Sequence, residues 1–325
     1  MKAIQVLGPA SSPEVVATSS LPTPIPNSSE ILIRVHAAGI TADELLWPEL
    51  YTAPHRIPGH ELSGTVAALG PTYTGPLRLS QPVFAFIAAD SGGGGQAEYV
   101  VCLSDEVAPK PSSISHEAAA ALPIPLLTAW EGIIVRGKVG AGMKVLITGA
   151  GGAVGSTAVQ IAARRGAEVV ALASSRSEEI LTGLGARKVA DYNDGSWSAE
   201  IRGVDVVFDT VGGDVLGKTW EVVRPGGMTI TVGDPAPEWA FGRGLAEEAG
   251  RYPHVRYEYF IVSPDVEALS MAAGMIDEGL VEALRVEAFS FEEAGQAWEF
   301  AGRRGRDGKA VITFGDFAEN GRVKQ

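Results

Sequence analysis

The chain has 325 residues, 46% of them hydrophobic and 20% charged, the proportions of a globular protein long enough for two domains rather than one. A formal net charge of -13 argues against a broad surface for nucleic acid or anionic membrane, while leaving room for a local basic pocket. The single cysteine, Cys102, cannot form an intramolecular disulfide or a thiolate zinc site by itself, and its flanks, EYVVCLSD, read as the end of a half-buried strand.

From the N-terminus, MKAIQVLGP is too short for a signal-peptide core, and no apolar segment is long enough to span a bilayer. A cytoplasmic protein with no membrane partner is expected. Up to about Pro125, short apolar runs broken by proline and glycine (KAIQVL, ILIRVHAAG, LSGTVAALG, PVFAFIA, AEYVV) predict a mostly β region. Leu21 to Pro26 holds three prolines and reads as an extended connector. The glycine run from Gly92 to Gly95 is not followed by a helix and reads as a mobile loop bordering a cleft.

After Pro125 the pattern alternates. Strand KVLITGA precedes helix GSTAVQIAARRG, which puts Val154, Ala158, Ile161 and Ala162 on one face and ends at Gly166. Then come strand EVVALASS, helix SEEILTGLG, strands KVADY and VDVVFDTVG, helix LGKTWEVVR, and strands MTITVG and VRYEYFIV. Six continuous apolar strands suit a parallel sheet covered by helices on both faces. A helix over 264–279 leads out, and the tail RVEAFSFEEAGQAWEFAGRRGRDGKAVITF holds a strand, an amphipathic helix and a final strand. Two β-type pieces flanking an α/β unit imply a discontinuous first domain over 1–122 and 278–325, with the α/β unit over 123–277.

The segment GAGGAVGS follows a strand and opens a helix, the context that separates a dinucleotide-binding turn from a chance glycine cluster. Ala150, Gly152 and Gly155 take the three positions of G-x-G-x-x-G, with alanine in the first. Gly152 lets backbone approach a pyrophosphate at the positive helix end, and Gly155 lets the helix lie close on the strand. Gly151, Ala153 and Val154 complete the turn. Cofactor choice is read at the end of the second strand, where an NAD site places Asp or Glu for the ribose hydroxyls. Here that strand runs into Ser174, Ser175, Arg176 and Ser177, with no carboxylate before Glu178. Hydroxyls and a guanidinium suit a 2′-phosphate, so NADP(H) is the expected cofactor. Helix capping by Ser175 or Ser177 is the plainer alternative, and both roles are compatible.

These residues, together with RVHAAGITADE, PGHELSGTVAALG, QAEYV, LPIPLLTAWEGI, GARKVADY, VFDTVGG and GKAVITF in the same order, resemble the medium-chain dehydrogenase/reductase superfamily over nearly the full length. Within it, the chain is similar to the zinc-independent branch of quinone oxidoreductase-like and enoyl reductase-like proteins. The resemblance implies an α/β fold, with a Rossmann doubly wound six-stranded parallel sheet inserted in a mostly β GroES-like domain. It implies cofactor contacts from Thr128, the 150–154 turn, Ser174 and Arg176, with Tyr192 near the adenosine. Backbone at Val211, Gly212 and Gly233 would face the nicotinamide, with Phe260, Ile261 and Val262 beyond. The family often has a lysine where this chain has Glu178, so Arg176 has to replace it. His60-Glu61 resembles the Gly-His-Glu of zinc alcohol dehydrogenases, yet Thr41 and Ile124 stand where those enzymes have ligands, and the four-cysteine lobe is missing. No metal site is expected, and His60 reads as a hydrogen-bonded turn or cleft residue.

Without a Lewis acid to polarise an alcohol or ketone, hydride transfer to a conjugated acceptor is the expected chemistry, because the developing charge spreads through an enolate or hydroquinone. The expected substrate is a small conjugated carbonyl or quinone in an apolar slot between the domains. The resemblance puts a tyrosine, here Tyr51, at the cleft mouth to steady the acceptor oxygen or relay a proton, with loop packing as its alternative. Thr41 replaces the family's asparagine, either as a hydrogen-bonding group or as a structural loop hydroxyl. Trp47, Trp130 and the segment 239–242 are candidate apolar walls. Two further readings stay open. One is a trans-acting enoyl reductase of a biosynthetic pathway, with Arg303, Arg304 and Arg306 as a docking rim for an acidic carrier protein. The other is a non-catalytic NADPH-binding sensor or structural protein. The strand RYEYFIV can pair edge to edge with its twin, which suggests a homodimer.

Overall fold

A computed structural model describes residues 1–315. Residues 316–325, which the sequence reading assigns to the first domain, lie outside the described residues. Strands β1 (Ala3–Leu7) and β2 (Glu14–Thr18) form an antiparallel hairpin, and 21–27 then runs without regular structure, as its prolines require. Next come β3 (Ile31–Gly39), the short helix α1 (Pro48–Thr52), β4 (Glu61–Leu69), β5 (Pro82–Phe86), β6 (Tyr99–Cys102) and β7 (Val107–Pro109). Pro48 opens α1, where its fixed φ and missing N–H cost nothing. Helix α2 (His116–Ala120) is capped by Ser115, whose Oγ accepts from the Ala118 N–H at 3.2 Å. Cys102 pairs with Ile31 of β3 and is 1% exposed, a structural thiol.

Helix α3 (Pro123–Trp130) continues into a π-helical stretch over 131–136. The alternating region follows: β8 (Lys144–Thr148), α4 (Ala153–Arg164), β9 (Glu168–Ala173), α5 (Glu178–Gly183), β10 (Lys188–Asp191), α6 (Trp197–Glu200), β11 (Val204–Asp209), α7 (Gly213–Thr219), β12 (Val223–Thr231) and β13 (Arg256–Tyr259). All six strands are parallel, in the order β10-β9-β8-β11-β12-β13. Their apolar runs bury Leu146, Val170, Leu172, Val204 and Val207 in one cluster. The strand order reverses between β8 and β11, the switch point at which doubly wound sheets bind ligands.

The chain then forms α8 (Val266–Asp277), β14 (Val286–Ser290), α9 (Ala294–Gly302) and β15 (Lys309–Thr313). Strand β15 returns to pair antiparallel with β3 and parallel with β14, giving a seven-stranded sheet in the order β14-β15-β3-β4-β5-β7, with β6 also on β3. Ile33, Leu62, Val83, Trp298 and Ile312 share its core.

Contacts divide the chain into two compact units. One comprises Met1–Pro123, Pro264–Asp277 and the chain from Ala283 on; the other comprises Ile124–Ser263 and Glu278–Glu282. The helix α8 therefore belongs with the first unit, whereas the sequence reading left it at the end of the second. Its anchor is Asp277, whose carboxylate accepts from Ser112 N–H at 3.1 Å and Ser113 N–H at 2.9 Å. Those donors, Ser112 first, hold the carboxyl down to about 2. Among the described residues, no helix is long and apolar enough to cross a membrane.

Candidate functional site

In the second unit, the turn between β8 and α4 is held by the Ala150 N–H on the Leu172 carbonyl at 3.2 Å and the Gly152 N–H on the Gly149 carbonyl at 2.9 Å. Gly152 is the N-cap of α4 and contributes no side-chain cap, so the first-turn N–H groups have no intrahelical acceptor, the arrangement found where a helix start receives an anion. Gly155 sits where a Cβ would lie 2.3 Å from the Gly149 oxygen and 2.7 Å from the Ala150 Cα. The tight turn itself falls on Gly149, at φ 60°, rather than on Ala150, which is fully buried. Gly149 lies inside the segment read from sequence as the turn, with Ala150 in the first motif position; its positive φ is a detail that sequence alone does not carry.

The strand end after β9 comes to the same place. A Cβ on Gly151 would meet the Ser177 Oγ at 3.1 Å, and the Tyr192 N–H donates to the Ala173 carbonyl at 3.2 Å. Ser175 and Arg176 are exposed, Ser174 half-buried, and Tyr192 51% exposed. One group was missed: Asp191, at the end of β10, accepts from the Ser175 N–H at 3.3 Å and from the Asn193 N–H at 2.9 Å. Hydrogen bonds from Asn193 and Ser175 hold its carboxyl below its ordinary value. A carboxylate does stand at this corner, supplied by the third strand rather than the second.

Val211 borders the turn, since a Cβ on Gly149 would lie 3.0 Å from its side chain. The Gly212 N–H donates to Asp209 Oδ2 at 2.9 Å, and the Gly233 N–H to Thr231 Oγ1 at 3.0 Å. Strand β13 ends at Tyr259, so Phe260, Ile261 and Val262 lie beyond it. Phe260 is buried under the Arg136 guanidinium, 4.5 Å from its ring centre, while Ile261 is exposed and Val262 half-buried. Thr128 on α3 is buried and donates its hydroxyl to the Ile124 carbonyl at 2.6 Å.

In the first unit, the Tyr51 hydroxyl donates to the Leu45 carbonyl at 2.6 Å, and burial pushes its pKa up in spite of nearby Arg56. Its proton is therefore engaged. Thr41 Oγ1 lies 3.5 Å from Glu61 Oε1, a long contact that leaves its hydroxyl open to a better partner. Glu61 is fully buried and ion-paired with Lys309 on β15. His60, 4% exposed, bonds through Nδ1 to Glu44 Oε1 at 2.8 Å, with the Trp47 ring 5.2 Å away. Burial presses the His60 pKa down, but the Glu44 bond and charge, helped by the Ala89 backbone, win and leave it above its ordinary value. Gly94 and Gly95, read from sequence as part of a mobile loop, are buried, and the Gly95 N–H donates to the Gly59 carbonyl at 2.5 Å.

This donor set does not fit zinc. His60 is committed to Glu44 and Ala89, and Glu44 Oε2 lacks a hydrogen-bond partner among the described residues, yet these two side chains fall short of three protein ligands. Among the described residues, no group of three His, Cys, Asp or Glu could hold a metal ion.

Two family models match: an alcohol dehydrogenase GroES-like domain over residues 27–112 and a zinc-binding dehydrogenase over 184–312. A protein of Arthroderma benhamiae named "Probable zinc-binding oxidoreductase, mitochondrial" is 30% identical over 315 residues, covering 90% of this chain and 91% of that one. The spectinabilin polyketide synthase system protein NorB of Streptomyces orinoci is 30% identical over 87% of this chain but only 13% of its own length. The solved quinone oxidoreductase of Coxiella burnetii superposes with a TM-score of 0.81 at 27% identity, covering 97% of this chain and 99% of that one. With a doubly wound nucleotide unit, a discontinuous GroES-like β unit and oxidoreductase relatives along nearly the whole chain, the protein belongs to the medium-chain dehydrogenase/reductase superfamily, oxidoreductases that bind nicotinamide cofactors.

Proposed function

We propose that the protein is a zinc-independent reductase that takes hydride from NADPH to a quinone or α,β-unsaturated carbonyl. The observation that carries the proposal is the approach of the 149–155 turn, at Gly151, to Ala173 and Ser177, which flank the Ser174–Arg176 strand end: uncapped first-turn N–H groups for a pyrophosphate, then two hydroxyls and a guanidinium for a 2′-phosphate. Asp191 repels part of that second anion, so a preference for NADPH over NADH of about tenfold is expected, rather than a thousandfold. When bound, the cofactor supplies the hydride. The chain's task is to orient both partners, exclude water and offer a hydrogen bond to the acceptor oxygen. Thr41 is the more available donor, because its contact with Glu61 is long, whereas the Tyr51 proton must first leave Leu45.

NADPH consumption measured against quinones, enones and enoyl thioesters tests this reading. Tight NADPH binding with no turnover on any of them would refute it in favour of a non-catalytic binding protein. The identity with a stretch of a polyketide synthase system protein favours one second reading, an enoyl thioester delivered by a carrier. Turnover confined to thioesters would select it. We also propose a homodimer through β13, an edge strand of the six-stranded sheet; a monomer in light scattering at micromolar concentration would exclude it.

A further inference from the structure

We infer that Asp209 is a positioning residue for the nicotinamide end of the site, a buried carboxylate that holds three strand-end loops in one arrangement. This rests on the cofactor reading above. Asp209 ends β11, with β8 on one side and β12 on the other. The register sets it opposite Thr231, and sets Phe208 opposite Ile147, which brings Thr148 alongside. The carboxylate is fully buried. Thr148 Oγ1 donates to Oδ1 at 2.5 Å, Thr231 Oγ1 to Oδ2 at 2.6 Å, the Gly212 N–H to Oδ2 at 2.9 Å and the Val211 N–H to Oδ1 at 3.4 Å.

Each hydroxyl is used twice. Thr148 Oγ1 accepts from the Thr210 N–H at 3.1 Å, and Thr231 Oγ1 from the Gly233 N–H at 3.0 Å. The Thr210 hydroxyl returns to the Thr148 carbonyl at 2.9 Å. An ionised carboxylate only accepts, so both threonine hydrogens must point at it, turning oxygen lone pairs toward the N–H groups of 210 and 233. One side chain thereby sets, directly or through one hydroxyl, the backbone of Thr210, Val211, Gly212 and Gly233. A buried charge satisfied by hydroxyls and N–H groups is a costly way to fill space, and an apolar residue of similar size would serve packing alone as well. What the charge adds is direction. Backbone direction is what a ring lying against these loops needs, because hydride transfer tolerates little misplacement.

The test uses the full-length protein, with NADPH and 2′,5′-ADP as probes, the second lacking the nicotinamide. Asp209→Asn puts an NH2 group where one oxygen accepts, and that group cannot accept from the donors now converging there. NADPH is expected to bind about tenfold more weakly or worse, while 2′,5′-ADP stays within about twofold of wild type. Thr231→Val should repeat that split, and Thr231→Ser should restore wild-type binding. If Asp209→Asn does not fold, the Thr231 pair reads the same split. Parallel loss of both probes would mean a merely structural role and overturn the assignment, as would no change in either. A wild-type chain that binds neither probe would overturn the cofactor reading, and this assignment with it.

Discussion

Gly155→Ala tests the turn most directly. The added methyl would lie 2.3 Å from the Gly149 oxygen, 2.7 Å from the Ala150 Cα and 2.8 Å from the Gly149 carbonyl carbon, all backbone atoms. No rotamer change relieves such contacts, so either α4 or the turn must move. Overpacking of this kind costs about 1–3 kcal/mol, or roughly 3–10 °C in melting temperature for a unit of this size. Moving the turn also misaims the N–H groups meant for the pyrophosphate, and losing one charged hydrogen bond weakens binding by about 10–100-fold. Gly274→Ala is the control: Gly274 is an exposed residue within α8 with nothing near its Cβ position, and helix propensity predicts a gain of about 0.5–1 kcal/mol. Thermal melts and NADPH fluorescence titration of both variants decide the matter. A Gly155→Ala protein that melts and binds NADPH like wild type would refute the close-packed phosphate turn.

Three other outcomes follow from named contacts. Arg176→Ala should erase the preference for NADPH, a loss of about tenfold in kcat/KM with NADH unaffected; an unchanged ratio would remove Arg176 from the 2′-phosphate role. Lys309→Met takes the cation away from the buried Glu61 carboxylate and should cost about 3–5 kcal/mol in urea unfolding, partly recovered by adding Glu61→Gln; a loss below about 1 kcal/mol would contradict the buried pair. Burial, stacked His36 and Lys110 press His116 down to about 4, against 6.5 when unfolded, and burial lowers His36 too. Both folded pKa values lie below the unfolded ones, so this stability is complete above 6.5 and is lost as pH falls toward 4. For half-buried rings, the full shift of about 3 kcal/mol discounts to about 1–2 kcal/mol. His116→Gln should flatten the unfolding profile over that window, and an unaltered slope would refute the linkage.

The six parallel strands were legible because buried strands announce themselves as continuous apolar runs, and the turn because a strand and a helix flank its glycines. Half-exposed β2 and three-residue β7 escaped, since neither carries a long enough pattern. Helix α2 was also passed over, although Ser115 is an ordinary capping residue. The polar pairs were out of reach for a different reason. Asp209 meets Thr148 and Thr231 only through strand register, Lys309 meets Glu61 only when β15 returns to the first sheet, and Asp191 reaches Ser175 from a neighbouring strand. Local periodicity places a residue on a face; it does not say which distant residue will share that face.

Cys102 bears on durability. Quinones and enones alkylate thiolates, so an enzyme that handles them risks inactivation by its own substrate. The sole cysteine of the chain is 1% exposed, and burial, with nearby Glu106, raises its pKa well above the ordinary thiol value. On the proposed function, the folded protein thus offers such electrophiles no ready sulfur nucleophile.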